Sequence, residues 1–176
     1  MRHNPKKQER QSIRLKGYDY RSPGLYFITM CCHKRACLFG EILNGEIQLN
    51  NAGMIVRKCW IAIPEHFPNV ILHEYVIMPN HVHGIIQLVG ANKHSPDTEN
   101  KHSPARSPSK TVGSVVRGFK IEVTKWMRQH TDIAHVWHRN YYEHIIRSEK
   151  AYRNISTYIA NNPANWEKDG FYQLNG

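Results

Sequence analysis

Residues 71–89 constrain the fold of this chain more than any other stretch. Two apolar, β-rich runs, Ile71–Ile77 and His81–Val89, are separated by little more than Pro79-Asn80. A link that short reads as a tight turn, so the runs should be antiparallel neighbours in one sheet. Strand side chains alternate between faces, which places His81 and His83 on one face and Val82 on the other. Two imidazoles on rigid backbone can grip one metal ion, imidazole nitrogen being the commonest protein ligand. A chain with 12 histidines can also produce such a triplet by chance. Neighbouring residues narrow the choice. Ile85 is neither the third His of a histidine-triad hydrolase nor the Asp of an H-x-H-x-D hydrolase, and Gln87, Leu88 and Val89 stand where a cupin would carry Glu.

At 176 residues the chain suits a single domain spanning 1–176, able to bury roughly two-thirds of its unfolded surface. Its longest apolar runs fall short of a membrane span, and the basic N-terminus lacks the apolar core of a signal peptide. The cysteines at 31, 32, 37 and 59 match no zinc spacing and read as buried free thiols of a cytoplasmic protein. The net charge of +10 points to a polyanionic partner, with nucleic acid ahead. No membrane partner is expected.

Taken in order, residues 1–16 form a basic arm in which Arg14 and Lys16 could lie along phosphates. Gly24–His33 should be a central strand. Asn44-Gly45 between short alternating runs predicts a hairpin, and Asn50 or Asn51 then caps a helix that Pro64 stops. Residues 90–110, rich in Ser, Pro, Lys and His, read as a flexible loop. A helix over 111–128 carries an apolar stripe, with Arg117, Lys120, Lys125 and Arg128 opposite it as a phosphate track. A β-run over 136–146 adds Arg139 to the DNA-contacting cations. Ser148 caps a last helix that ends at Asn162-Pro163, and the final dozen residues read as a loosely packed tail.

That last helix supplies the second half of a site. Tyr152, Ile155 and Ile159 make its core stripe, while Tyr158 and Asn162, four residues apart, share its edge. A tyrosine there is ordinary packing when taken alone. Beside a two-His metal site it acquires chemistry, because a metal offsets phosphodiester charge while a phenol oxygen attacks in line. An amide one turn along could join the metal. Such a site, with a phosphate oxygen and waters, suits Mg²⁺ or Mn²⁺.

The segments Met78-Pro-Asn-His-Val-His-Gly-Ile85, Gly118-Phe-Lys120, Trp137-His-Arg-Asn-Tyr-Tyr-Glu-His-Ile145 and Tyr158-Ile-Ala-Asn-Asn-Pro163 together resemble the single-tyrosine HUH transposases. The match is closest to the REP-associated tyrosine transposases and runs from about Ile13 to Pro163. The resemblance implies an α+β, ferredoxin-like HUH nuclease fold with a central antiparallel sheet packed by helices. It implies His81 and His83 as metal ligands, Asn162 as a third ligand or metal-orienting residue, and Tyr158 as nucleophile. Insertion-sequence relatives often carry Gln four residues after the tyrosine; Asn162 departs from them and fits the REP-associated branch.

The expected activity is metal-dependent cleavage and rejoining of single-stranded DNA near hairpins through a 5′-phosphotyrosine. The alternatives are a DNA-hairpin binding protein without catalysis and a water-using RNA nuclease. Monomer and homodimer both remain open.

Overall fold

The computed structural model describes residues 22–90 and 111–172; Arg14, Lys16 and the rest of the basic arm, with nearly all of the 90–110 loop, lie outside them. The elements run β1 (Gly24–Cys31), β2 (Gly40–Leu43), β3 (Glu46–Leu49), α1 (Asn51–Ile61), α2 (Ile63–His66), β4 (Val70–Met78), β5 (His81–Leu88), α3 (Val112–His130), β6 (Tyr142–Ile146) and α4 (Glu149–Asn161). Four strands form one antiparallel sheet in the order β4-β5-β1-β6. With α1 joining β1 to β4 and α3 joining β5 to β6, this is the βαββαβ arrangement of ferredoxin-like folds. The β2–β3 hairpin is a separate insertion whose turn residues Asn44 and Gly45 both take positive φ, as a two-residue hairpin loop requires.

Alternation along β1 and β5 divides the interior in two. Tyr26, Ile28 and Met30 of β1 join Val82 and Ile86 of β5 in a core with Val56 and Trp60 of α1 and Val115, Phe119, Val123 and Met127 of α3. On the opposite face Phe27, Ile85 and Ile146 meet Ile159 of α4, with Tyr152 and Ile155 at the margin. The sheet is therefore covered by α1 and α3 on one side and by α4 on the other. His81 pairs with Cys31 and His83 with Thr29 in the β1–β5 register, so both histidines stand on the α4 face of a central strand.

Gly84 lies on the opposite face, where the buried Trp60 indole presses against the strand; a Cβ added there would overlap the indole ring. Gly84→Ala should therefore cost roughly 1–3 kcal/mol, as overpacking of a filled core does. The loss should read as a lower denaturant midpoint and be partly relieved by Trp60→Phe. No relief would show that Trp60 is not the obstacle.

Four sequence expectations are corrected here. Pro64 does not stop the first helix: α1 ends at Ile61, and Pro64 sits in the opening turn of α2, where its missing N–H costs nothing. The β-run over 136–146 narrows to β6. Its first half is irregular backbone held by single bonds, His33 N to Val136 O and His138 N to Cys31 O. Only Cys32 of the four cysteines is buried, Cys31 and Cys59 being half-buried and Cys37 exposed, although all four thiols are free. Finally, the segment after α4 is not a loose tail. A 3-10 helix over Pro163–Lys168 buries Trp166, and the chain then folds back across the histidine face.

Candidate active site

His81 and His83 are 0% and 1% exposed, with ring centroids 4.4 Å apart. The turn before β5 sets the state of the first. Asn80, fully buried, donates through Nδ2 to the carbonyls of Arg35 (3.1 Å) and Phe171 (2.8 Å), which leaves its Oδ1 facing His81 Nδ1 at 2.8 Å. Nδ1 must then carry the proton and Nε2 the lone pair. His81 Nε2 has no hydrogen-bond partner among the described residues. Burial pushes its pKa down to about 3, opposed by the Asn162 amide. A neutral ring with a free lone pair, aimed inward, is the state a metal ligand needs.

His83 is held from both sides. Thr29 Oγ1 lies 2.8 Å from Nδ1, and the Tyr158 hydroxyl lies 3.1 Å from Nε2. With Thr29 accepting from Nδ1–H, Nε2 takes the phenol proton as acceptor. Burial, then the neighbouring His81, lowers this pKa also to about 3, against the pull of the Asp169 carboxylate.

Tyr158 is half-exposed near the end of α4, its ring edge-on to Phe27. Ile159, one residue on, anchors the helix in the core, so the phenol is delivered to the histidines from a fixed backbone. Its pKa is raised, first by burial and then by Asp169, with the Asn162 amide opposing. Burial and the Asp169 carboxylate thus both favour the protonated phenol.

Three other tyrosines in the last third of the chain are placed differently. Tyr152 donates to Glu74 at 2.8 Å and lies 3.1 Å from His73 Nδ1, over another part of the sheet. The Tyr141 hydroxyl donates to Glu143 at 3.0 Å, and Tyr142 is exposed on β6.

Asn162 is the C-cap of α4 and 2% exposed. Its Nδ2 donates to Asp169 Oδ2 at 2.7 Å, while its Oδ1 is buried without a partner among the described residues. Asp169 had no place in the sequence reading, yet His81, His83 and Asp169 each offer a ligand atom within 4.8 Å of the others. Two buried imidazoles and a partly buried carboxylate converge, and the side chain bonded to that carboxylate carries an orphaned amide oxygen. Unpartnered buried acceptors carry a desolvation cost that a cation between them would remove. The residues present fit a divalent metal ion.

The chain after α4 closes this site. Phe171 packs against both rings, at 4.7 Å from His81 and 5.9 Å from His83. Arg35 donates to Gly170 O at 2.9 Å and lies 5.5 Å over the Phe171 ring. Asp169 could have been sought in the sequence: Trp166 and Phe171 are the large apolar anchors that a free tail has no reason to carry.

The proposed phosphate cations divide into two groups. Arg117, Lys125 and Arg128 of α3 and Arg139 are exposed and border an open groove of about 790 Å³ between α3 and residues 137–141. Lys120 is spent differently. Its ammonium donates to the carbonyls of His138 and Asn140, both at 3.0 Å, and lies 5.7 Å over the Trp137 ring. Burial lowers its pKa to about 8, against the neighbouring Cys31 and Cys32. It builds the groove wall.

This architecture is the fold of the REP-associated tyrosine transposases. One such transposase, solved bound to a REP hairpin, superimposes with a TM-score of 0.61 over 92% of this chain and 76% of that one, at 21% identity. By sequence the chain belongs to the same family as an uncharacterized protein of Haemophilus influenzae, 51% identical over 167 residues that cover 93% of each chain. No protein-family model matches it. Among the described residues, no helix is long and apolar enough to cross a membrane.

Proposed function

We propose that the protein is a metal-dependent transposase-type endonuclease that cleaves and rejoins single-stranded DNA beside hairpins, with Tyr158 as nucleophile. The observation that carries this reading is the 3.1 Å approach of the Tyr158 hydroxyl to His83 Nε2, beside the unpartnered His81 Nε2 and Asn162 Oδ1. His81 and His83 would hold Mg²⁺ or Mn²⁺, with Asn162 as third ligand or orienting group. A divalent ion bound there supplies positive charge against the non-bridging oxygens of a phosphodiester.

The chain's own residues provide the rest. The Tyr158 oxygen attacks phosphorus in line; the bond from phosphorus to the 3′ oxygen breaks, and that oxygen leaves as a free 3′-OH after gaining a proton. The product is a 5′-phosphotyrosine on the downstream strand. Attack by another 3′-OH reverses the step and returns the proton to Tyr158. One phosphodiester is exchanged for another, so rejoining needs no external energy source. Thr29 and Asn80 hold the two imidazoles in fixed orientation, and Phe171 screens them from water.

The charge of +10 and the exposed Arg117, Lys125, Arg128 and Arg139 support a phosphate track. The hairpin bound by the REP-associated relative supports a DNA hairpin as its occupant. Reversing charge with Arg117→Glu and Arg139→Glu should weaken hairpin binding and lower the salt slope by about one per lost contact. A full slope in the double variant would place the track elsewhere. The reaction itself is tested with hairpin oligonucleotides and Mn²⁺. A 3′-end label should travel with the protein, and a 5′-end label should leave on a free strand. Release of both labels would exclude the tyrosine mechanism.

A further inference from the structure

The residues around the histidine pair do not all belong to the segments that carry the transposase resemblance. That resemblance ends at Pro163, and the described carboxylate nearest the two imidazoles lies beyond it, at Asp169. We infer that Asp169 is the third ligand of the metal site, and that the segment Asp169–Phe171 is a built part of that site rather than a covering laid over it. This rests on the metal-dependent reading above and deepens it.

Three observations carry it. The first is convergence: His81, His83 and Asp169 each bring one ligand atom to within 4.8 Å of the others, two of the side chains being fully buried. The second is how the carboxylate is held. Asp169 Oδ1 accepts from the backbone N–H of Phe171 at 2.8 Å, and Oδ2 accepts from Asn162 Nδ2 at 2.7 Å. A carboxylate oxygen has two lone-pair directions, so each oxygen can hold its protein partner and still face a cation. Ligating carboxylates are characteristically held by such outer hydrogen bonds. The third is shared anchoring. The Asn80 amide that fixes the His81 tautomer also holds the Phe171 carbonyl at 2.8 Å, and Arg35 holds Gly170 O at 2.9 Å. One buried side chain thus sets a ligand on β5 and the position of the segment bearing Asp169.

Asn162 then takes a defined part. Its amide nitrogen is committed to Asp169, so it orients that carboxylate, and its unpartnered oxygen faces inward as a weaker, neutral donor. A site with one anionic ligand binds a hard divalent cation better than one with neutral donors alone.

The test is Mn²⁺ affinity by calorimetry on the full chain without DNA, for the parent, His81→Ala and Asp169→Asn. Asp169→Asn should weaken Mn²⁺ binding by at least about tenfold, comparable to His81→Ala, with the metal-free melting temperature little changed. If His81→Ala loses affinity while Asp169→Asn keeps it, the metal reading stands and Asp169 is not a ligand. If the parent takes up no Mn²⁺, both fall. Should Asp169→Asn misfold, Asp169→Cys titrated with Cd²⁺ decides the matter. A thiolate-to-Cd²⁺ charge-transfer band in excess of that given by the parent's four free thiols, and lost again when His81→Ala is added, supports coordination by side chain 169, and no excess over the parent overturns it.

Discussion

Tyr158→Phe should bind hairpin DNA like the parent and neither cleave it nor link to it. The substitution removes one oxygen from a half-exposed side chain whose ring still packs edge-on against Phe27. The hydroxyl is bonded to His83 Nε2 at the edge of the site, while the core contacts of α4 come from Ile159, so the folded structure should survive. The chemistry should not. Removing a nucleophile outright costs on the order of 10³-fold or more in rate, and among the described residues Tyr158 is the tyrosine whose hydroxyl is bonded to a site histidine, although Tyr142 stands on the same sheet face. Tyr152 is bonded to Glu74, and Tyr141 to Glu143. Phe at Tyr141, Tyr142 or Tyr152 should leave adduct formation intact. An adduct that persists in Tyr158→Phe and disappears in one of these would move the nucleophile without changing the enzyme class.

The second large effect is expected at the histidine pair. His81→Ala or His83→Ala should abolish strand cleavage while leaving hairpin affinity nearly unchanged, because the proposed phosphate track lies on α3, which packs on the opposite face of the sheet. The two need not be equal in stability. His81 leaves Nε2 unsatisfied in the metal-free fold, so its loss removes a buried polar liability as well as a ring. His83 is satisfied at both nitrogens, and its removal strands Thr29 and Tyr158. His83→Ala should therefore lower the metal-free melting temperature more than His81→Ala. Added Mn²⁺ should raise the melting temperature of the parent and of neither variant. Cleavage by the His81/His83 double variant would end the metal-site account.

The sequence disclosed those parts of the molecule that depend on local pattern. The Pro79-Asn80 turn fixed the antiparallel pairing of β4 and β5, and strand alternation alone carried His81 and His83 to a common face. The caps at Asn50 and Ser148 each accept the backbone bond expected of them. Tyr158 and Asn162 were legible because helical spacing stacks residues four apart.

What escaped depends on contacts between distant segments. Lys120 looked like one cation among several on a polar helix face; only the path of residues 137–141 reveals the carbonyls that occupy it. Asp169, Phe171 and Arg35 show no periodic signal, because they lie in short irregular segments brought together by the Asn80 amide. Trp60 is a core residue whose importance follows from Gly84 on another element.

The central claim is that Tyr158 becomes covalently attached to DNA at a metal-dependent site. The most direct measurement is mass spectrometry of the parent protein after incubation with a hairpin-bearing single-stranded oligonucleotide and Mn²⁺, followed by proteolysis. The account predicts one peptide, containing Tyr158, that carries a 5′-phosphorylated nucleotide and vanishes when the metal is chelated. Cleaved DNA accompanied by an unmodified Tyr158 peptide, or an adduct that forms equally well in chelator, would contradict it.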